Sequence, residues 1–374
     1  MKTLRGITVN LPSSIIGVVS NNVSRIDGYV LAPEELPCSV GLSKETAGRT
    51  DGPCVHSVSK LTEFGDKDVV LVNPSGLMTV LYSYQGNDNS LFVTDRCNAA
   101  CIMCPQPSPI CPTSHLKVNK CLIRLIDKAT PVLGLTGGEP TTAPDELIEL
   151  IMDCKTHLPA VHLDILTNGI ALADVAFVRK IMDIRHPSMT FHVPLYADTD
   201  REHNAIVGTE GFHATVEGLY NLARFRQRIE LRMVIMKSTY QRLPMFAQFV
   251  CRNLPFVSHV ALMGLEPVGS ALRNLSDVWV EPLDAMPQIR GAVQCLHRAD
   301  LNVSLFNFQL CILPEELRPF AVRSISDWKN MYLEFCGGCA KRTVCGGLFN
   351  SQHTVHSRFL GPVSQANRNT KEAE

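Results

Sequence analysis

From residue 90 onwards, apolar runs of strand length alternate with amphipathic segments of helix length. The strand-length runs span residues 91–94, 132–136, 162–167, 190–195, 230–235, 259–263 and 303–306. The helix-length segments between them include residues 145–157, 174–183, 212–227, 243–253 and 284–299. Because strands that are joined through a helix pair in parallel with right-handed crossovers, this order predicts an α/β fold. With both faces covered, the sheet would be doubly wound or would form a full or partial α/β barrel.

The rest of the chain divides into three further segments. Residues 1–88 lack helical periodicity, and their short β-prone runs predict a small β-rich N-terminal domain. A strand edge of this domain would suit peptide recognition. The α/β core then spans residues 89–306, and a cysteine-rich region follows at residues 307–360. We expect the polar tail, residues 361–374, to be disordered.

The composition is that of a globular chain with nearly balanced charge. Of its 374 residues 45% are hydrophobic, and 35 Lys and Arg oppose 36 Asp and Glu, for a net charge of −1. Without a basic excess, we expect no nucleic-acid partner. No apolar run reaches the roughly 18 residues that span a bilayer, so we expect no membrane association. Asn10, Pro12 and Ser13 interrupt any signal-peptide core, which predicts a cytoplasmic protein.

Three of the fourteen cysteines form a C-x3-C-x2-C triplet, Cys97, Cys101 and Cys104. The triplet follows the run 91–94, at the carboxyl end of a predicted strand, where ligands bind in parallel α/β folds. Thiolates are the preferred ligands of iron–sulfur clusters and of zinc. With only three ligands, a 4Fe–4S cluster would keep one iron open. The alternative is a zinc site that takes a fourth ligand from Cys111 or His115.

Two further turns carry polar chemistry at the ends of the next two predicted strands. Gly137, Gly138 and Glu139 follow the run 132–136. The glycines would let a ligand approach the backbone, and the carboxylate would accept a hydrogen bond from an amine. The third run ends in Thr167-Asn168-Gly169, which suits hydrogen bonding to hydroxyl groups. By contrast, we expect Asp198 and His203, after the fourth run, to be solvated loop residues.

A second group of cysteines lies near the C-terminus. Cys336, Cys339 and Cys345 form a C-x2-C-x5-C pattern, and Cys311 is available as a fourth ligand. Four thiolates close either a structural zinc site or an iron–sulfur cluster. The spacing taken alone favours zinc.

The cysteine triplet, the Gly-Gly-Glu-Pro turn and the Thr-Asn-Gly turn, in this order, resemble the radical S-adenosylmethionine (radical SAM) superfamily. The resemblance covers about residues 90–306 and implies a partial (β/α)6 barrel. It implies a 4Fe–4S cluster on Cys97, Cys101 and Cys104, whose open iron chelates S-adenosylmethionine. It also implies contacts to this cofactor from Met103, Gly137, Gly138, Glu139, Asn168 and Gly264. Met103 stands where the family usually has an aromatic residue.

Beside such a core, the C-terminal cysteines resemble the auxiliary-cluster regions (SPASM or twitch) of peptide-modifying members. This resemblance reverses the preference from zinc to an auxiliary iron–sulfur cluster on Cys311, Cys336, Cys339 and Cys345. The longer version of the region has a further cysteine four places later, where this chain has Phe349. One auxiliary cluster is therefore expected rather than two.

Residues 218–225, 262–267 and 324–330 resemble the C-type radical SAM maturases of the His-Xaa-Ser system. That resemblance implies three partners: a ribosomally made precursor peptide with His-Xaa-Ser repeats, a sister radical SAM maturase, and an electron donor such as flavodoxin or ferredoxin. It implies reductive cleavage of S-adenosylmethionine and hydrogen abstraction from the peptide. One alternative is a radical SAM enzyme that acts on a small molecule or RNA. Another is a zinc-stabilised binding protein without catalytic activity.

Overall fold

The computed structural model describes residues 3–20, 28–31, 39–42, 53–58, 61–323 and 331–364. The chain divides into two compact units. Unit 1 comprises Met1–Asp95, Thr113–Asp164 and Ile184–Met189, and unit 2 comprises Arg96–Pro112, Ile165–Asp183 and Thr190–Glu374. The predicted tail beyond residue 364 and the segment 324–330 lie outside the described residues.

The N-terminal segment of unit 1 forms an eight-stranded sheet. Its strands are Thr3–Arg5 (β1), Ile7–Val9 (β2), Ile15–Ser20 (β3), Gly28–Leu31 (β4), Ser39–Leu42 (β5), Cys54–His56 (β6), Val69–Val72 (β7) and Leu77–Tyr82 (β8). The order is β1-β8-β7-β3-β4-β5-β6-β2, and β5 with β6 is the parallel pair in an otherwise antiparallel arrangement. The two outermost strands, β1 and β2, are consecutive in the chain and are separated only by Gly6. The two edges of the sheet are therefore connected through this one residue. A Cβ at Gly6 would lie 2.8 Å from the carbonyl oxygen of His56, which explains the glycine.

A second sheet of eight strands carries the α/β fold. Its strands are Ser90–Phe92 (β9), Val132–Thr136 (β10), His162–Leu166 (β11), Met189–Pro194 (β12), Arg228–Ile235 (β13), His259–Gly264 (β14), Val303–Phe306 (β15) and Ala321–Val322 (β16). The spatial order follows the chain order, and the pairs β9–β10, β12–β13, β13–β14, β14–β15 and β15–β16 are parallel. The predicted α/β fold with a parallel sheet is confirmed, and this sheet is consistent with a partial barrel. The two-residue strand β16 was too short to predict from periodicity.

Helices follow most strands of the second sheet. They are Leu116–Leu125 (α1), Pro144–His157 (α2), Val175–Asp183 (α3), Asp200–Val207 (α4), Phe212–Arg224 (α5), Leu243–Asn253 (α6), Ser270–Arg273 (α7), Leu275–Val278 (α8) and Pro282–Arg298 (α9). The five predicted helices are confirmed as α2, α3, α5, α6 and α9, with ends that shift by up to three residues. No helix in the described ranges is both long enough and apolar enough to cross a bilayer.

The two faces of the second sheet differ in polarity, as β13 illustrates. Ile229 and Leu231 are fully buried, whereas Glu230, Arg232 and Val234 alternate with them and are half-buried. Alternation of this kind places the two sets on opposite faces of a strand. We call the face that carries Glu230, Arg232 and Val234 the inner face.

Candidate functional site

The cysteine loop, residues 97–104, lies in unit 2 after β9. Its three cysteines are half-buried, and no disulfide joins the cysteines of the described ranges. Cys101 and Cys104 line a cavity of about 280 Å³. Burial raises the pKa of Cys104, although the backbone N–H of Gln106 and the charge of Arg273 oppose that effect. Among the described residues, no three His, Cys, Asp or Glu side chains are grouped closely enough to hold a metal ion.

Helix α4 holds this loop through backbone hydrogen bonds. The N–H of Ala100 donates to the carbonyl of Val207 at 2.8 Å, and that of Ile102 donates to the carbonyl of Ile206 at 3.0 Å. The helix ends at Gly208, which has a φ of +70°. A Cβ there would lie 3.1 Å from the carbonyl oxygen of Ala100, so glycine both ends the helix and admits the loop.

The segment after β14 holds the other end of the loop. The N–H of Ser270 donates to the carbonyl of Cys104 at 2.8 Å, and the side-chain amide of Asn274 donates to the carbonyl of Ile102, also at 2.8 Å. Gly269 has a φ of +60°, and a Cβ there would lie 2.6 Å from the carbonyl oxygen of Cys104. Two separate elements of unit 2 therefore fix the backbone that carries the thiols.

Asn168, predicted from the turn after β11, contacts the cysteine loop directly. Its side-chain amide donates to the side-chain oxygen of Asn98 at 2.7 Å. Its own side-chain oxygen accepts from the N–H of Ile170 at 3.0 Å, and its carbonyl accepts from the hydroxyl of Thr215, also at 3.0 Å. These bonds fix the turn and place Asn168 beside the residue that follows Cys97.

Met103 and Gly264, two more of the predicted residues, line the same cavity as Cys101 and Cys104. Gly264 ends β14, and a Cβ there would lie 2.9 Å from the carbonyl oxygen of Asn307. Glycine at this position therefore lets the backbone of Asn307 approach the end of β14 closely. The other lining residues are Pro105, Tyr196, Val234, Met263, Leu265, Glu266 and Asn307.

The region after β12 differs from the prediction. His203 lies on α4 with 2% exposure, and burial lowers its pKa to about 4. Its Nδ1 accepts a hydrogen bond of 3.2 Å from the N–H of Tyr196, and the two rings stack at 5.9 Å. Asp198 is also not solvated, because its carboxylate pairs with Arg242 at 2.6 Å and its side chain is only 12% exposed. The expectation of two solvated loop residues is therefore wrong.

Sequence reasoning missed Tyr196, which lines the cavity. Burial and the charges of Cys101 and Cys104 raise the pKa of its phenol, and the positive charge of Arg232 opposes them. The hydroxyl group therefore stays protonated and remains able to donate a hydrogen bond. The only sequence signal was its position just past the end of a predicted strand.

The Gly-Gly-Glu turn lies in unit 1, after β10. A Cβ at Gly137 would lie 2.4 Å from the carbonyl oxygen of Thr94, and the N–H of Gly138 donates to that same oxygen at 2.7 Å. Glu139 is 2% exposed, and its Oε1 accepts from the N–H and the hydroxyl of Thr141 at 2.9 and 2.7 Å. The turn thus holds a buried carboxylate in a fixed orientation.

The four C-terminal cysteines share one cavity, although no three of them are close enough in this structure to hold one metal ion. Cys311, Cys336, Cys339 and Cys345 line one small cavity of about 30 Å³ in unit 2. Backbone N–H groups point at two of the sulfurs: Leu310 and Gly347 donate to Cys345 Sγ, each at 3.5 Å, and Val363 donates to Cys339 Sγ at 3.3 Å. Burial, together with the charges of Cys345 and Cys336, raises the pKa of Cys311.

The decisive comparison concerns the central part of the chain. Residues 91–250 match the family profile of the radical SAM superfamily. This part of the chain is therefore similar to the domains of radical SAM proteins. The matched region contains the cysteine loop, Glu139 and Asn168.

Two curated proteins and several solved structures are similar to this chain. GTP 3′,8-cyclase of Desulforamulus reducens is 29% identical over 102 residues, 25% of this chain and 31% of the relative. A probable GTP 3′,8-cyclase of Thermococcus kodakarensis is 24% identical over 151 residues, 39% of this chain and 46% of the relative. The chain thus spans less than half the length of these two relatives.

The solved structures include SuiB of Streptococcus suis, with 14% identity, a TM-score of 0.45 and coverage of 58% of this chain and 47% of that chain. A radical SAM methyltransferase from Sphaerobacter thermophilus has 15% identity, a TM-score of 0.46 and coverage of 64% and 72%.

The radical SAM family implies a 4Fe–4S cluster and S-adenosylmethionine, and the chemistry of the residues present suits both groups. The donors are three thiols on one anchored loop, and thiolates are the ligands of such clusters. Two of these thiols, Cys101 and Cys104, line a cavity. Gly264, which has no side chain, and the apolar Met103 line the same cavity. The cavity offers room for an organic group next to the sulfurs.

Proposed function

We propose that this chain is a radical SAM enzyme that modifies a ribosomally made peptide of the His-Xaa-Ser repeat type. The observation that carries the chemistry is the meeting of Cys101, Met103, Cys104 and Gly264 in one cavity. Cys97, Cys101 and Cys104 would hold the 4Fe–4S cluster. When bound, the cluster would supply the electron for reductive cleavage of S-adenosylmethionine, the chemistry that would lead to hydrogen abstraction from the substrate.

The side chains of this chain bind and orient the cofactor. The buried carboxylate of Glu139, held by Thr141, would accept hydrogen bonds from the amino group of S-adenosylmethionine. Gly137 and Gly138 hold that turn against the carbonyl of Thr94, and Asn168 would bind hydroxyl groups. The apolar part of the cavity wall would help to keep water away from the reacting groups.

Cys311, Cys336, Cys339 and Cys345 would hold one auxiliary iron–sulfur cluster. Their shared cavity and the N–H groups directed at Cys339 and Cys345 support this assignment, because hydrogen bonds to cluster sulfurs are typical of such sites. A zinc ion is the competing occupant. Cys339→Ala should remove about four irons per chain and leave the other cluster, whereas unchanged iron would assign this site to zinc or to no metal.

The peptide substrate is supported by the sequence resemblance of residues 218–225 and 262–267. The same resemblance supports a precursor peptide, a sister radical SAM maturase and an electron donor of the flavodoxin or ferredoxin type as partners. A role of residues 1–88 in peptide recognition and a cytoplasmic location both stay predictions.

A nucleotide substrate is the second candidate, because both curated relatives named above are GTP 3′,8-cyclases. One experiment separates the candidates. The reconstituted protein is incubated with S-adenosylmethionine and dithionite, together with either a deuterated His-Xaa-Ser repeat peptide or GTP. We expect 5′-deoxyadenosine that carries deuterium from the peptide and no consumption of GTP. Consumption of GTP with an inert peptide would favour the second candidate.

A further inference from the structure

A row of polar side chains crosses the inner face of the sheet in unit 2. His192, Glu230 and His259 are lateral partners on β12, β13 and β14. His192 Nδ1 lies 2.9 Å from Glu230 Oε1, and His259 Nδ1 lies 2.8 Å from Glu230 Oε2. His259 Nε2 continues the row to the hydroxyl of Ser304 at 2.9 Å.

Glu230 carries the negative charge at the centre of this row. Burial raises its pKa, but the hydrogen bonds from His192 and His259 and the charge of Arg232 outweigh burial and hold the pKa well below its usual range. The ionised carboxylate then fixes Arg232, whose Nε donates to Glu230 Oε1 at 2.7 Å. Arg232 Nη2 lies 2.9 Å from His192 Nδ1. Glu230 thus orients one edge of the guanidinium group, because His192 Nδ1 cannot accept from Nη2 while it donates to Glu230.

The opposite edge of the Arg232 guanidinium group can still donate hydrogen bonds. Among the described residues nothing accepts a hydrogen bond from its Nη1, and the side chain is 32% exposed. Arg232 precedes Val234 by two residues on the inner face, which corresponds to about 7 Å along a strand. Val234 lines the cavity beside Cys101, and the charge of Arg232 acts on the phenol of Tyr196 in that same cavity.

We propose that the unoccupied edge of Arg232 binds a carboxylate of the peptide substrate beneath the cofactor cavity, with Glu230 and His192 as positioning residues. The proposal rests on the function proposed above and names a substrate feature that it does not specify. A planar guanidinium edge matches a carboxylate in a two-pronged hydrogen bond, and lysine cannot reproduce this geometry. The other charged or titratable groups of the cavity are Cys101, Cys104, Tyr196 and Glu266.

The carboxylate could come from a side chain or from the end of the peptide. Three synthetic peptides with two His-Xaa-Ser repeats separate these sources: Xaa is Glu with an amidated terminus, Gln with a free terminus, or Gln with an amidated terminus. Their affinities for the reconstituted holoenzyme with bound S-adenosylmethionine are measured by calorimetry. We expect one carboxylate peptide to bind at least about tenfold more tightly than the uncharged peptide.

Arg232→Gln should abolish this preference, and Arg232→Lys should retain only part of it. Arg242→Gln is the matched control, because Arg242 also pairs with a carboxylate and is 35% exposed, but Asp198 occupies its guanidinium edge. The control should keep the preference. If the Gln variant does not fold, the Lys variant and the comparison of the three peptides on the unmodified enzyme still test the proposal.

Equal binding of all three peptides, no binding of any, or a preference that survives Arg232→Gln would each overturn the proposal. Failure of the proposed function is visible separately. It would appear as the absence of 5′-deoxyadenosine when the reconstituted enzyme receives dithionite and S-adenosylmethionine without peptide.

Discussion

The side-chain amide of Asn168 donates a hydrogen bond of 2.7 Å to the side-chain oxygen of Asn98. The two residues are 70 positions apart, yet the bond joins the turn after β11 to the residue that follows Cys97. A predicted cofactor-binding residue and the cysteine loop thus constrain each other. A change at Asn168 should therefore affect the cofactor site without altering the thiols themselves.

Asn168→Ala should raise the KM for S-adenosylmethionine about fivefold, the equivalent of roughly 1 kcal/mol for one lost hydrogen bond. The measurement is the rate of 5′-deoxyadenosine formation against cofactor concentration, with iron content as a check on the cluster. Asn302→Ala is the control, because the side-chain amide of Asn302 also donates one hydrogen bond, but to the carbonyl of Ser258 rather than to the cysteine loop. Equal KM values for the two variants would contradict the assignment of Asn168.

Cys101→Ala should lose the cluster of the radical SAM domain and all reductive cleavage of S-adenosylmethionine. Cys101 lines the cavity, and two thiolates do not replace three as ligands. The measurement is 5′-deoxyadenosine formed with dithionite as reductant. Cys111→Ala is the matched control, because Cys111 is exposed and does not line the cavity. Cleavage at the normal rate by the Cys101 variant would refute the assignment.

Gly137→Ala should destabilise the protein by about 1–3 kcal/mol, the usual cost of overpacking. Its Cβ would lie 2.4 Å from the carbonyl oxygen of Thr94, and backbone cannot move aside as a side-chain end can. Gly338→Ala is the control, because a Cβ there meets no atom within 4 Å. Denaturant unfolding compares the two. Equal free energies of unfolding would mean that the turn does not need its glycine.

The strands were the most predictable part of the structure. The runs at 132–136 and 303–306 are strands with the predicted bounds, because both are mainly apolar and are bounded by residues typical of turns. The meeting of Cys101, Met103, Cys104 and Gly264 also follows from the sequence, since the carboxyl ends of parallel strands share one edge.

Other features depend on contacts that no local pattern contains. Helix α4 is short and polar, so hydrophobic periodicity does not predict it, and the sequence alone places His203 in a loop. Asp198 is buried by an ion pair with Arg242, 44 residues later. The row formed by His192, Glu230 and His259 exists only through the strand register, which periodicity cannot supply.

His203 should make the stability of the protein sensitive to mild acid. Burial lowers its pKa from 6.5 to about 4, so the folded protein keeps the neutral form while the unfolded chain binds a proton below pH 6.5. Its contribution is therefore complete above pH 6.5 and falls by up to about 3 kcal/mol as the pH approaches 4.

His203→Gln should remove this part of the pH dependence of the free energy of unfolding. His213→Gln is the control, because the side chain of His213 is 83% exposed and lies next to the same Phe212 ring. Parallel stability profiles of the His203 variant and the unmodified protein between pH 6.5 and 4 would contradict the buried neutral state of His203.

The most direct test of the central claim is the electron paramagnetic resonance spectrum of the anaerobically reconstituted and reduced protein, recorded with and without S-adenosylmethionine and read with iron and sulfide content. We predict about eight irons per chain and one cluster signal that changes when S-adenosylmethionine is added. About four irons with the same change would keep the radical SAM chemistry and assign the C-terminal cysteines to zinc. A protein that binds zinc and no iron, or a cluster signal indifferent to S-adenosylmethionine, would contradict the claim.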